Sequence, residues 1–300
     1  MIRKIILALA FLCGAFSSFA QKEENILFVG NSLTYFNNMP QTLQKMLDEK
    51  KLNIHIDQVT HPGETLALHA KCTFDSDSSA DFRRTLPGDT PTTVKKILSR
   101  HWDMVILQEP AIPLLVDEMR INCTEPAIFY LDSIIKANHS KTVFYQAYTG
   151  AVHPIRYNET IDNFYLNRFL FNPKPDSIIT KMRNALDTSL MRRHTYSSDS
   201  FATSSEEFEQ INQFYKKTDK KINSGIAQVG YAFELCKKLY PEINVYYNSH
   251  NAHPSKEGSY LIACVFYKYI TQDNVASIKY NADIDAGTAN KIRGLVASMQ

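Results

Sequence analysis

The chain has 300 residues, with 33 Lys and Arg against 31 Asp and Glu and a formal net charge of +2, too nearly balanced to recruit a polyanion by charge alone. No run of Arg or Lys is interleaved with aromatics, so no nucleic-acid groove is expected. The length suffices for one large core, or one core carrying a sizeable insertion.

The first residues, MIRKIILALAFLCGAFSSFAQ, combine a basic start at Arg3 and Lys4, an apolar run, and small residues at Ser18 and Ala20. That is the pattern of a secretory signal cleaved after Ala20, and the run is too short for a comfortable membrane span. Cys13 raises lipoprotein anchoring as the alternative, but Leu12 stands where a small residue is expected before a lipidated cysteine. The expectation is an exported protein, periplasmic or extracellular, with no membrane span. Its mature part, 21–300, carries 31 basic and 31 acidic residues. Four cysteines remain there, Cys72, Cys123, Cys236 and Cys264, and they allow three pairings. None has CxxC spacing, and no His/Cys cluster has zinc-site spacing, so no metal is expected.

Along the chain, apolar runs alternate with helical patterns. NILFVG (25–30) reads as a strand and MPQTLQKMLDEKK (39–51) as a helix. NIHIDQV (53–59) is the second strand, followed by a helix at TPTTVKKILSR (90–100). DMVILQE (103–109) and KTVFYQAY (141–148) are strands flanking the helix EPAIFYLDSIIKAN (125–138). A helix at 220–240, a strand INVYY (243–247) and helices at 255–270 and 285–299 close the chain. The first, third and fourth strands are almost continuously apolar, which fits burial on both faces of a parallel sheet. The pattern predicts an α/β fold, a three-layer α/β/α sandwich of flavodoxin-like type around a mostly parallel five-stranded sheet. Residues 21–300 form a single domain in this reading. Residues 151–219, rich in aromatics such as Tyr157, Phe164, Tyr165, Phe169, Phe171 and Phe201, break the alternation. They read as an insertion folded over the strand ends, either a satellite core or a wall of the site.

In such sheets, chemistry gathers beyond the carboxyl ends of the strands. ILFVGNSLTYF (26–36) sets Ser32 just past the first strand, near the amino end of the next helix, whose free N–H groups favour developing negative charge. Taken alone, Ser32 and Thr34 could equally be simple caps. THPGETL (60–66) follows the second strand and offers the backbone N–H of Gly63. VILQEP (105–110) ends the third with the amide of Gln108. The last loop, in YYNSHNAHPSKEGSYL (246–261), brings His250 and His253, and Ser255 reads as the cap of the helix that follows. Histidine suits proton transfer near neutrality.

This order of blocks resembles the SGNH (GDSL-like) serine hydrolases, in the form of exported carbohydrate esterases. GNSLT matches the serine block, with Asn31 where an aspartate often stands, and Gly63 matches the glycine block. VILQEP matches the third block with Gln108 in place of the usual asparagine, and HPSKEGSYLIA matches the histidine block. The resemblance covers roughly 25–149 and 220–270 and leaves the insertion outside. It implies an ester hydrolase with Ser32 as nucleophile and His253 as base, acting through an acyl-enzyme. The oxyanion would be held by the Ser32 and Gly63 N–H groups and the Gln108 side chain. No cofactor is implied, and the implied substrate is a small-molecule or glycan ester, a small acyl group on a carbohydrate. One departure stands out: the family's orienting aspartate, three residues before the histidine, is here His250, the candidate third triad position. A neutral imidazole supplies no negative charge, and losing that carboxylate costs about 10⁴ in turnover in a serine protease. The alternative is a catalytically impaired glycan-binding protein on the same fold. A weaker one makes His250 and His253 half of a metal site.

Overall fold

The computed structural model describes residues 23–74, 82–84, 92–152, 154–162, 193–249 and 252–300. The signal segment 1–20, Cys13, His250 and the aromatics Phe164, Tyr165, Phe169 and Phe171 lie outside these residues. Strands β1 (Glu24–Gly30), β2 (Ile54–Thr60), β3 (Met104–Gln108), β4 (Lys141–Tyr145) and β5 (Ile226–Ala227) form one parallel sheet in the order β2-β1-β3-β4-β5. Their carboxyl ends are in register, with Gly30 beside Thr60, Val29 beside Leu107 and Gln108 beside Tyr145.

Side chains alternate across a strand, and both faces are covered. Ile26 and Phe28 of β1, Ile106 of β3 and Val143 and Tyr145 of β4 pack against α1 (Met39–Glu49), α6 (Val229–Leu239), α7 (Lys256–Thr271) and α8 (Ala286–Ser298). Leu27, Val29, Val105, Leu107 and Phe144 face the other way. They meet α2 (Leu66–Lys71), α3 (Thr92–Leu98), α4 (Glu125–Ala137) and α5 (Ser204–Ile222). The three-layer α/β/α sandwich is thus present. Burial from two sides is why the strands read as apolar runs rather than alternating ones. Among the described residues, no helix is long and apolar enough to cross a membrane.

Three expectations need correction. INVYY is not the fifth strand: it makes only an isolated bridge, Tyr246 to Pro254. Its backbone is engaged by the returning chain instead, with Ser255 N–H donating to the Val245 carbonyl and Tyr247 N–H to that of His253. Nor is 220–240 one helix. Asn223 adopts a left-handed conformation (φ 48°) that ends α5, and Ile226–Ala227 then joins the sheet as β5, next to Phe144 and Tyr145 of β4. Finally, 204–219 belongs to the core rather than to an insertion. Thr203 caps α5 by accepting from Glu206 N–H at 3.2 Å, and Ile211, Phe214, Tyr215 and Ile222 are buried in the core on that face of the sheet. Of the insertion, the described part before α5 contains an antiparallel pair, Asn158–Asp162 with Arg193–Ser197. Phe201 is buried in the same core, and the Tyr157 hydroxyl donates to Glu207. Cys236 and Cys264 are buried, unpaired thiols, and burial pushes Cys236 up to about 11.

Two glycines test this packing. A Cβ on Gly258 in α7 would lie 2.1 Å from the Val245 carbonyl oxygen, whereas one on exposed Gly294 in α8 would meet nothing within 4 Å. Gly258→Ala is expected to destabilise the protein by about 1–3 kcal/mol through overpacking. Gly294→Ala should stabilise it by about 0.5–1 kcal/mol, from helix propensity alone. Urea unfolding of both variants checks this. Equal effects would mean that α7 does not lie this close to residue 245.

Candidate functional site

The site begins where β1 stops. Gly30 ends the strand, Asn31 is the cap of a single helical turn (Ser32–Tyr35), and the Asn31 Oδ1 accepts from Leu33 N–H at 3.0 Å. Ser32 therefore occupies the first helical position, where backbone N–H groups have no acceptor within the helix. Beneath this turn lies the buried carboxamide of Gln108. Its Oε1 accepts from the Asn31 N–H at 2.9 Å and the Thr34 hydroxyl at 3.2 Å. Those two donors fix which end of the amide is oxygen. The Gln108 Nε2 is consequently a buried donor with no partner among the described residues.

The turn carrying Gly63 is held to the same place. Asn31 Nδ2 donates to the Glu64 carbonyl at 2.9 Å, and His61 N–H donates to that of Gly30. Gly63 has φ +67°, a conformation that side chains bearing a Cβ rarely adopt, which explains the residue type.

On the opposite side, the loop before α7 delivers His253. Ser255 caps α7 by accepting from Gly258 N–H at 2.9 Å, while its own hydroxyl donates to the Asn244 carbonyl at 2.7 Å. Asn37, itself left-handed with φ 51°, donates through Nδ2 to the Pro254 carbonyl and to Ser259 Oγ, both at 2.9 Å. Ser259 Oγ donates in turn to the Phe36 carbonyl. The His253 ring lies 4.6 Å from that of Phe36, centroid to centroid, tilted by 32°. So placed, His253 Nε2 is 2.8 Å from Ser32 Oγ. Partial burial holds its pKa below the ordinary 6.5. With the proton on Nδ1, Nε2 can accept the serine proton.

Sequence reasoning named Ser32, Gly63, Gln108 and His253, and the fold brings Ser32 and His253 into contact, with Gln108 under the same turn. It missed Asn37 as the tie between the two halves. It also missed a buried acid–histidine group behind the Gly63 turn. His69 is fully buried and sits between Thr93 Oγ1 at 2.6 Å and the Gly30 carbonyl at 2.9 Å, so its Nε2 donates to the latter. Burial lowers its pKa to about 3. Glu64 and Glu109 are each 1 % exposed, and burial raises both to about 8. The 3.7 Å approach of Glu64 Oε2 to His69 Nε2 is therefore a contact of two uncharged groups at neutral pH, not an ion pair. Among the described residues, no cluster of three or more His, Cys, Asp or Glu side chains could hold a metal.

The architecture is a parallel five-stranded sheet with helices on both faces, and the Ser32–His253 pair lies beyond the strand ends. A DUF4886 family protein from Bacteroides uniformis superimposes with a TM-score of 0.60 at 13 % identity, over 92 % of this chain and 94 % of that one. A candidate SGNH hydrolase from Slackia heliotrinireducens gives a TM-score of 0.52 at 16 % identity, over 83 % of this chain and 100 % of that one. These likenesses are of fold. No family model and no curated protein matches the sequence.

The raised Glu109 has a consequence for stability. Unfolded, it releases its proton near 4.5, but folded only near 8. Its contribution is therefore favourable below pH 4.5 and is lost as pH rises through 8. Glu109→Gln keeps an acceptor for the Leu66 N–H, 2.7 Å away, and cannot ionise. Relative to the wild type it should gain stability with rising pH, on the order of a few kcal/mol across that range. Chemical denaturation on both sides of the interval would show a pH-independent difference if Glu109 were not a buried acid.

Proposed function

We propose that the chain is an exported serine esterase of SGNH type. The reading rests above all on the 2.8 Å contact between Ser32 Oγ and His253 Nε2, two residues 221 positions apart. Ser32 Oγ attacks the ester carbonyl carbon as His253 Nε2 takes the hydroxyl proton. The tetrahedral oxyanion accepts from the Ser32 and Gly63 N–H groups and from Gln108 Nε2, the buried donor without a partner among the described residues. Each such donor is typically worth about 3 kcal/mol. Collapse expels the alcohol, which receives the proton held on Nε2, and leaves an acyl-serine. Water then attacks this ester, gives its proton to His253, and the acid leaves as Ser32 recovers its hydrogen. A small acyl group on a carbohydrate is the substrate class that the resemblance to exported carbohydrate esterases implies.

The depressed His253 pKa gives the chemistry a sign. The base works only when neutral, and burial favours the neutral ring. Hydrolysis of p-nitrophenyl acetate should rise with pH along a single limb whose midpoint lies below 6.5. A midpoint above that value would mean that His253 gains a stabilising anion, and the assignment of burial as the controlling influence would fail.

A fluorophosphonate probe distinguishes the esterase from a non-catalytic glycan-binding protein of the same fold. The wild type should label, Ser32→Ala should not, and His253→Ala should label and turn over more slowly by about 10³-fold or more. No labelling of the wild type at any pH would favour the binding protein.

A further inference from the structure

We propose that the groove beside Asn37 binds the alcohol part of the ester, and that this part is a saccharide carrying a carboxylate. The placement of the ligand rests on the esterase reading; the groove chemistry does not. The cavity has a volume of about 660 Å³, within the usual range for ligand sites, and lies between the starts of α1 and α7 and the turn at 280–283. Asn37 links it to the candidate active site: the residue lines the groove while its Nδ2 donates to the carbonyl of Pro254, the residue after His253.

The lining is polar rather than apolar. Asn38 and Gln41 present amides that can both donate and accept, which suits vicinal hydroxyls and not an acyl chain. Lys45 and Lys256 add two cations, against Asp283 as the one carboxylate among the described lining residues. Neither lysine is within ion-pair distance of a carboxylate among the described residues. Lys45 lies over the Tyr280 ring at 5.3 Å. Lys256 occupies the first residue of α7, where the helix dipole disfavours a cation. Helix stability is therefore no reason for a lysine there, whereas an anion in the groove is.

The far wall is preformed. Glu49 accepts from the Lys279 and Tyr280 N–H groups, and the Tyr260 hydroxyl donates to the Tyr280 carbonyl at 2.7 Å. The buried Arg293 donates to Asn281 Oδ1 at 2.7 Å. A wall ordered before binding loses little entropy when the ligand arrives.

Calorimetry on the full chain carrying Ser32→Ala, with trigalacturonate, neutral xylotriose and citrate as probes, tests this. Trigalacturonate should bind, should weaken with added salt, and should bind at least about tenfold more weakly when Lys45→Gln and Lys256→Gln are added. An unchanged melting temperature shows that the lysine variant is folded. Absence of trigalacturonate binding, or binding indifferent to the two lysines, overturns the proposal. Xylotriose binding as tightly overturns the carboxylate, and citrate binding as tightly overturns the saccharide. Wild-type turnover of p-nitrophenyl acetate reports separately on the esterase reading. Binding without any turnover would remove that reading and leave the groove. Turnover without binding would do the reverse.

Discussion

Everything at the strand ends depends on one missing methyl group. A Cβ on Gly30 would come within 2.6 Å of both Gln108 Oε1 and Thr34 Oγ1. Only because that space is open does the Gln108 amide slide beneath the turn and receive the Asn31 N–H. That contact fixes the turn on which Ser32 rides and leaves Nε2 as the spare donor. The Gly30 carbonyl is engaged as well, by His61 N–H and by His69 Nε2. Strand end, amide and glycine turn are thus one assembly. The buried Glu64, Glu109 and His69 are its foundation, and burial disfavours the charged form of each.

The histidine side is a second assembly, brought to the first by long-range ties. Asn37 is the principal one. Its left-handed backbone turns the chain after the Ser32 helix so that one amide reaches both the Pro254 carbonyl and Ser259. Ser255 and Gly258 then set how α7 leaves the loop. Phe36 backs the His253 ring and is itself met edge-on by Tyr247, which is 63 % exposed.

What could be read from the sequence divides along physical lines. β1, β3 and β4 were legible because two-sided burial writes itself as an unbroken apolar run, and α1, α4 and α8 because one-sided burial has a helical period; α7, buried all round from Gly258 to Tyr267, was legible from its Ser255 cap. β5 was not, since two residues carry no period and Gly225 before them reads as an interruption within a helix. The start of α5 was hidden by its own capping residues, Thr203, Ser204 and Ser205, whose composition resembles a loop. Ser32 and His253 were legible because their blocks have distinctive neighbours. Asn37, Glu64 and His69 were not, because their roles come from a left-handed turn and from burial, neither of which spacing encodes. His250, the position read as a replaced aspartate, lies outside the described residues.

The brevity of β5 bears on how such a protein behaves at high concentration. The sheet's outer strands are β5, only two residues long, and β2. β2 has seven residues but carries His55, Asp57 and Gln58, and Lys96 reaches across to ion-pair with Asp57. A foreign strand seeking backbone partners would find too few rungs on one border and a hydrated, charged fringe on the other. The sheet should therefore resist edge-to-edge fibril growth, even though its central strands are among the most apolar segments of the chain.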